Sequence, residues 1–322
     1  MKAEIAEAAK LLKEGRLVAF PTETVYGLGA DATNAEAVGK IFALKGRPET
    51  HPLIVHIADP LALELWARHV PANARKLADR FWPGPLTMIL PKSARVPRAV
   101  TGGQDTVGVR CPSHPVAQEL LREFARIGSG GVAAPSANRF GHVSPTTAQH
   151  VRDEFGAAVE VVDGGACEVG LESTIVDVSR GAPVLLRPGA VSRRDIESVL
   201  GIAPAERDAA APRASGTLAA HYAPRTPLAL VDAASFEPEL AKPGEAAVLA
   251  LRARPAGARA AAWIQAPADP MRYGHDLYAN LRALDRSGAA RIVVESPPAL
   301  PGWEAVNDRL KRAAAGALAE AP

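Results

Sequence analysis

The sequence predicts an α/β protein in two parts: a mixed sheet with covering helices over residues 1–201, and a smaller parallel sheet with helices from residue 228 onward. Three observations carry that prediction. Short apolar, β-branched runs recur through the first part with helices between only some of them, which suits a mixed sheet. Strand and helix patterns alternate regularly in the second part, which suits a parallel one. Between them, Ile202 to Pro212 is rich in Ala and Pro, carries scattered charge and has no periodicity, as a linker would.

Each element has its own warrant. Ile5, Ala8 and Leu12 fall at helical spacing with charge on the other face, and Gly15 supplies a stop. A strand at Leu17 to Phe20 leads into the turn-rich Pro21-Thr22-Glu23-Thr24-Val25-Tyr26-Gly27-Leu28-Gly29. Ala35 to Leu44 reads as a helix with Val38, Ile41 and Phe42 inward, delivering Lys45 and Arg47 into the loop beyond it. Leu53 to Ile57 reads as a strand, so His56 points away from the face that takes Val55. Pro71 to Phe81 is helical and is stopped by Trp82-Pro83-Gly84-Pro85 before the strand Leu86 to Leu90. Val107 to Arg110 is strand-like, Val116 to Phe124 helical and Val132 to Ala134 a short strand. A helix over Thr146 to Phe155 is expected to be capped by Ser144 or Thr146. Strands at Val159 to Val162, Thr174 to Val178 and Val184 to Arg187 complete the first part. In the second, strands at Leu228 to Val231, Ala246 to Ala250, Ala262 to Ile264 and Ile292 to Val294 alternate with helices carrying Tyr273, Leu277, Leu281 and Leu284, then Val306, Leu310 and Ala314.

Composition bounds the function. At 322 residues either part can bury its own core, and 37 Lys and Arg against 35 Asp and Glu leave a net charge of +2, so no global field demands a nucleic acid or a membrane. Any basic site is local. Cys111 and Cys167 stand far apart with no CxxC, which argues against structural zinc or a disulfide framework and fits a reducing cytoplasm. The first residues read as a helix rather than a signal peptide, and no apolar run approaches a membrane span.

The polar signatures point to anion binding. Lys45 and Arg47 flank a glycine and precede Pro48, a turn that could present both cations to a polyphosphate; an isolated Lys-x-Arg also suits a solvated turn. Arg110 and Arg187 each close an apolar strand, where a buried arginine needs an anionic partner, whether ligand or structural carboxylate. Ser136 and Asn138 follow a buried strand, and Ser144-Pro145-Thr146-Thr147 opens a helix, whose N–H groups suit phosphate oxygens as well as simple capping. His56 and Ser173 fit a packed strand histidine and a turn as readily as ligand contacts. No G-x-S-x-G elbow, P-loop, third glycine after Gly27-Leu28-Gly29 or metal-ligand spacing is present. A site of cations and neutral donors remains, suited to stabilising charge rather than to covalent attack.

Seven segments in order resemble the YrdC/Sua5 family: residues 21–28, 45–48, 52–57, 82–87, 135–138, 171–177 and 186–189. His221-Tyr222-Ala223-Pro224 and the region after it are similar to the longer Sua5 type. The resemblance implies a YrdC-like twisted mixed sheet over residues 1–201, a linker at 202–227 folding over the active site, and a Rossmann-like C-terminal domain at 228–322. It implies synthesis of L-threonylcarbamoyladenylate and pyrophosphate from L-threonine, bicarbonate or CO2, and ATP. The product would pass to a tRNA threonylcarbamoyl transferase for N6-threonylcarbamoyl modification of adenosine 37, with direct tRNA contact left open. Lys45, Arg47, Ser136 and Asn138 would be catalytic and would hold ATP together with His51, Thr106, Ser144, Arg187 and Tyr222. Thr24, His56, Arg110, Ala134 and Ser173 would hold L-threonine, Arg110 taking its carboxylate. Mg2+ would arrive with ATP. His51 stands where the family often has Asn. The rival readings are a carbamoyl transferase with a similar domain, whose CxxC motifs are missing here, and a non-catalytic RNA-binding protein, which calls for exposed aromatics among basic residues.

Overall fold

The computed structural model describes residues 1–319 and divides the chain into two compact units. The first comprises residues 1–140, 145–168 and 172–217; the second comprises 141–144, 169–171 and the chain from Leu218 onward. No helix among the described residues is long and apolar enough to cross a membrane.

In the first unit the order is α1 (Lys2–Lys13), β1 (Val18–Phe20), β2 (Gly27–Asp31), α2 (Ala35–Lys45), β3 (Ile54–His56), α3 (Leu63–Trp66), α4 (Ala72–Phe81), β4 (Leu86–Pro91) and α5 (Arg98–Thr101). There follow β5 (Thr106–Arg110), α6 (Pro115–Ile127), β6 (Val132–Ala134), α7 (Ala148–Phe155), β7 (Glu160–Val161), β8 (Thr174–Asp177), β9 (Val184–Arg187) and α8 (Arg193–Leu200). The nine strands form one mixed sheet in the order β7-β1-β2-β6-β3-β5-β4-β8-β9, parallel at β1/β7, β3/β5 and β4/β8 and antiparallel elsewhere.

Because side chains alternate across a strand, the register sorts the sheet into two faces. Ala19, Leu28, Ala30, Ala133, Val55, Val107, Val109, Leu86, Met88, Leu90 and Val176 face a large hydrocarbon core with α2 and α4. Each fully buried aliphatic there contributes about 1.5–3 kcal/mol. The other face is different in kind. Phe20, Gly27, Gly29, Ala134, His56, Ile54, Gly108, Arg110, Thr87 and Ile89 align across it, with Ile175 and Arg187 paired at its far side. At one end α1 and α6 cover it, Ile5, Leu12, Leu120 and Phe124 packing with Phe20 and Val132. At the other end Ala214, with Ala211 beside it, packs on Ile54, Ile89, Ile175 and Leu186. Polar groups occupy the stretch between.

Two expectations shift. The helix before Phe155 is capped by Thr147, whose side chain accepts from His150 N, because Thr146 is turned to the His150 ring instead. Residues after Gly201 are tied down sooner than a free linker would be: Ala205 bridges Val184, and Asp208 pairs with Arg180.

The second unit holds a four-stranded parallel sheet, β10 (Leu228–Val231), β11 (Ala246–Ala250), β12 (Ala262–Gln265) and β13 (Arg291–Glu295), in the order β10-β13-β11-β12. Its helices are α9 (Phe236–Leu240), α10 (Pro270–Asp285) and α11 (Glu304–Ala319). Asp269 caps α10 through Arg272 N, and Tyr273, Leu277, Leu281 and Leu284 bury its inner stripe.

Candidate active site

The first polar group lies at the end of α2. Asn34 caps that helix through Ala37 N, and Gly46 stops it at a positive φ of 64°. Lys45 lies one helical turn beyond Ile41 and Phe42, so the stripe that buries them also buries Lys45. Its Nζ donates to Ser136 O at 2.7 Å and to Asn138 O. Burial first, then the Arg47 charge, hold this amine well below the usual lysine range, while Glu154 acts the other way. Arg47 Nη2 donates to Pro52 O at 3.0 Å and lies 3.5 Å from Ser215 Oγ, its guanidinium 5.7 Å from the Phe140 ring centre. The His51 ring packs on Phe140 at 5.3 Å, and burial, followed by Arg47 and Arg213, lowers its pKa.

The Pro-Ser-Ala-Asn turn is pinned onto β2. Leu28 N donates to Pro135 O and Ala137 N to Tyr26 O, with Gly27 and Ser136 bridged. Asn138 Nδ2 donates to Arg139 O at 2.7 Å.

A second cationic centre lies on β5. Arg110 Nη1 donates to Thr24 Oγ1 at 2.8 Å, Nε reaches Gly84 O at 3.4 Å, and Nη2 stands 2.7 Å from Glu23 Oε1. His56, its register partner on β3, has Nδ1 3.1 Å from Ile54 O. Burial, then Arg110, push its pKa down to about 3, so the imidazole is neutral at physiological pH. Backbone hydrogen bonds to Val132 and Ile54 act the other way but are outweighed.

The third group lies at the start of β8. Ser173 O accepts from Arg187 Nε at 3.0 Å and Nη2 at 2.9 Å, and Ser173 Oγ meets Thr87 Oγ1 at 2.8 Å. Arg187 Nη1 donates to Ser215 O at 2.9 Å. Thr106 lines a small hollow beside Gly108, Ile175 and Ala214.

Thus Lys45, Arg47, His51, Ser136 and Asn138 form one cluster, Thr24, His56, Arg110 and Ala134 a second, and Ser173, Arg187 and Ser215 a third, all in the first unit. Ser144 and Tyr222 fall in the second, where Tyr222 adopts a positive φ of 64° and lies 5.7 Å from the Tyr278 ring and 5.3 Å from the Arg309 guanidinium. Sequence reasoning missed Glu23, Thr87 and Ser215. The first two lie inside the matching segments, but only the fold sets Glu23 beside Arg110 and Thr87 beside Ser173; Ser215 carried no signal at all. The cysteines are poor nucleophiles, burial pushing Cys111 up to about 11 and Cys167 up to about 12. Among the described residues no group of three or more His, Cys, Asp or Glu could hold a metal ion.

A family profile described as telomere recombination, Sua5/YciO/YrdC, matches residues 10–189. The chain belongs to the Sua5/YciO/YrdC family. A second profile, the threonylcarbamoyl-AMP synthase C-terminal domain, matches residues 191–315, making this a long Sua5-type member. The threonylcarbamoyl-AMP synthase of Pyrococcus abyssi is 48% identical over 235 residues, which span 71% of this chain and 68% of that one. That of Bacillus subtilis is 41% identical over 328 residues, 97% of this chain and 93% of its own. Among solved structures, P. abyssi Sua5 complexed with L-threonine superimposes with a TM-score of 0.88 at 38% identity, covering 98% of this chain and 96% of that one. The mixed sheet with a second parallel sheet is therefore the Sua5 architecture.

Proposed function

We infer that the chain is an enzyme that makes threonylcarbamoyl-AMP and pyrophosphate from L-threonine, bicarbonate or CO2, and ATP, in the service of tRNA N6-threonylcarbamoyladenosine. The observation that carries this reading is a pair of buried cationic groups in the first unit: Arg110 beside a neutral imidazole at the end of β5, and Lys45 with Arg47 after α2, Lys45 held by the Pro-Ser-Ala-Asn turn. Relatives bearing the threonylcarbamoyl-AMP synthase name support it.

In this proposal Arg110 takes the threonine carboxylate, with Thr24, His56, Ala134 and Ser173 around the rest of the amino acid. Lys45, Arg47, His51, Thr106, Ser136, Asn138 and Arg187 hold the nucleotide. The threonine amine adds to CO2 and loses a proton, giving a carbamate; a carbamate oxygen attacks the α-phosphorus, and pyrophosphate leaves with the electron pair of the broken P–O bond. Two anions must approach each other, so fixed positive charge and positioning do the catalysis. Lys45 fits that role because its amine is already oriented by two carbonyls, and a polyphosphate beside it would favour the charged form that burial and Arg47 disfavour. The donor set does not fit a resident Mg2+, since Glu23, the carboxylate at this face, is engaged by Arg110 and Ser113. Mg2+ belongs with the incoming ATP. A cytoplasmic location and hand-over of the mixed anhydride to a tRNA threonylcarbamoyl transferase complete the proposal.

The test is to incubate purified protein with MgATP, threonine and bicarbonate and to follow pyrophosphate and the mixed anhydride by mass. Both should appear only with all three substrates. Pyrophosphate that persists in CO2-depleted buffer would mean ordinary aminoacyl adenylation and end the reading.

A further inference from the structure

Behind Arg110 lies a buried carboxylate to which the reaction gives no task. Glu23 is 1% exposed and Arg110 4%. Glu23 Oε1 stands 2.7 Å from Arg110 Nη2, and Glu23 Oε2 accepts from Ser113 N at 3.1 Å. The carboxylate thereby ties the 21–26 turn to the end of β5 and to the loop that leads into α6. The Nη2 contact is close but not aligned as a hydrogen bond, so Nη2 keeps N–H directions that no protein acceptor fills. The other holds on the guanidinium are neutral: the Thr24 hydroxyl, itself 2.8 Å from Thr22 Oγ1, and the long contact to Gly84 O.

We propose that Glu23 is a positioning residue: it fixes the plane of the Arg110 guanidinium so that unfilled N–H groups meet the carboxylate of the amino-acid substrate. This rests on Arg110 holding that carboxylate. The chemistry of Glu23's two partners makes an ionised carboxylate necessary. Arg110 Nη2 and Ser113 N are both donors, so the residue between them must accept on both sides. A glutamine cannot, since whichever way its amide is turned it sets an N–H against one of them. Glu23 is also the ionised group among these three partners, and the attraction of opposite charges 2.7 Å apart in a buried site outweighs the neutral oxygens of Thr24 and Gly84 in setting the orientation.

The experiment compares wild type, Glu23→Gln, Glu23→Asp and Arg110→Gln by steady-state kinetics with threonine and ATP varied in turn, alongside thermal melting. Glu23→Gln should raise the threonine KM by about tenfold or more, with the ATP KM within about twofold and kcat within about threefold. Glu23→Asp keeps two acceptor oxygens and should recover part of that loss. A merely structural carboxylate would lower Tm without this split. Should Glu23→Gln fail to fold, Glu23→Asp decides: a selective rise in threonine KM supports the proposal, and none overturns it. An unchanged or lowered threonine KM in folded Glu23→Gln overturns it too. If Arg110→Gln raises threonine KM while Glu23→Gln does not, this inference alone falls; if Arg110→Gln leaves it unchanged, the assignment of the carboxylate to Arg110 falls with it.

Discussion

His56 should make the first unit sensitive to mild acid. Its folded pKa of about 3 lies far below the ordinary value of about 6.5 expected in the unfolded chain. Above 6.5 both states are neutral and His56 carries no penalty. As pH falls between those values, the unfolded chain binds a proton that the folded chain refuses, so stability declines. Integrated from pH 7 to pH 5, the loss is about 2 kcal/mol, to order of magnitude. The comparison is wild type against His56→Gln, whose amide can still reach Ile54 O but does not titrate. Urea unfolding of both, followed by fluorescence of Trp66 and Trp82 in the first unit, gives stability against pH. All other titrating groups, including the depressed His51, are common to the two proteins and cancel in the difference. The wild-type curve should fall more steeply by about 2 kcal/mol over that window. Parallel curves would refute the reasoning, showing that the imidazole is not held neutral by burial and by Arg110.

Two further outcomes follow from the β8 and β9 end. In Gly189→Ala the new Cβ would meet Thr174 N at 2.5 Å and Glu172 O at 2.8 Å, backbone atoms that cannot swing aside. Overpacking of this kind costs about 2 kcal/mol, which calorimetry should register as a Tm lower by about 4–8 °C. Arg187→Lys keeps the charge but loses the fork that serves Ser173 O and Ser215 O together. Turnover with ATP varied should fall by about tenfold to a hundredfold, and undiminished kinetics would remove Arg187 from the nucleotide site.

How far the sequence could be read depends on how local each cause is. The helical stripe of Val38, Ile41 and Phe42 foretold α2, but Lys45, expected in the loop beyond it, is the last helical residue and is buried on that same stripe. Alternation in β3 foretold that His56 and Val55 part company, and the register confirms it. By contrast β2 reads as a turn because Gly27 and Gly29 break its pattern, yet the strand tolerates them, and a Cβ at Gly29 would stand 2.7 Å from Val132 Cγ1. The Glu23–Arg110 pair was hidden for another reason. It joins residues far apart in the chain, and sequence spacing does not show which of the nearby polar side chains a folded β5 will meet. The hold of Arg47 and Arg187 on Ser215 was equally illegible, since the segment around it has no periodicity.

The sheet's strand order has a consequence for when this protein becomes competent. β4 pairs with β8, so Leu86 waits for Thr174, and Arg187 follows later still. A nascent chain halted after β6 already contains Lys45, Arg47, His56 and Arg110, but it lacks the strand that brings Ser173 against Thr87. The third group of the site is therefore complete only once β8 and β9 are in place, and closing such distant pairings is intrinsically slow.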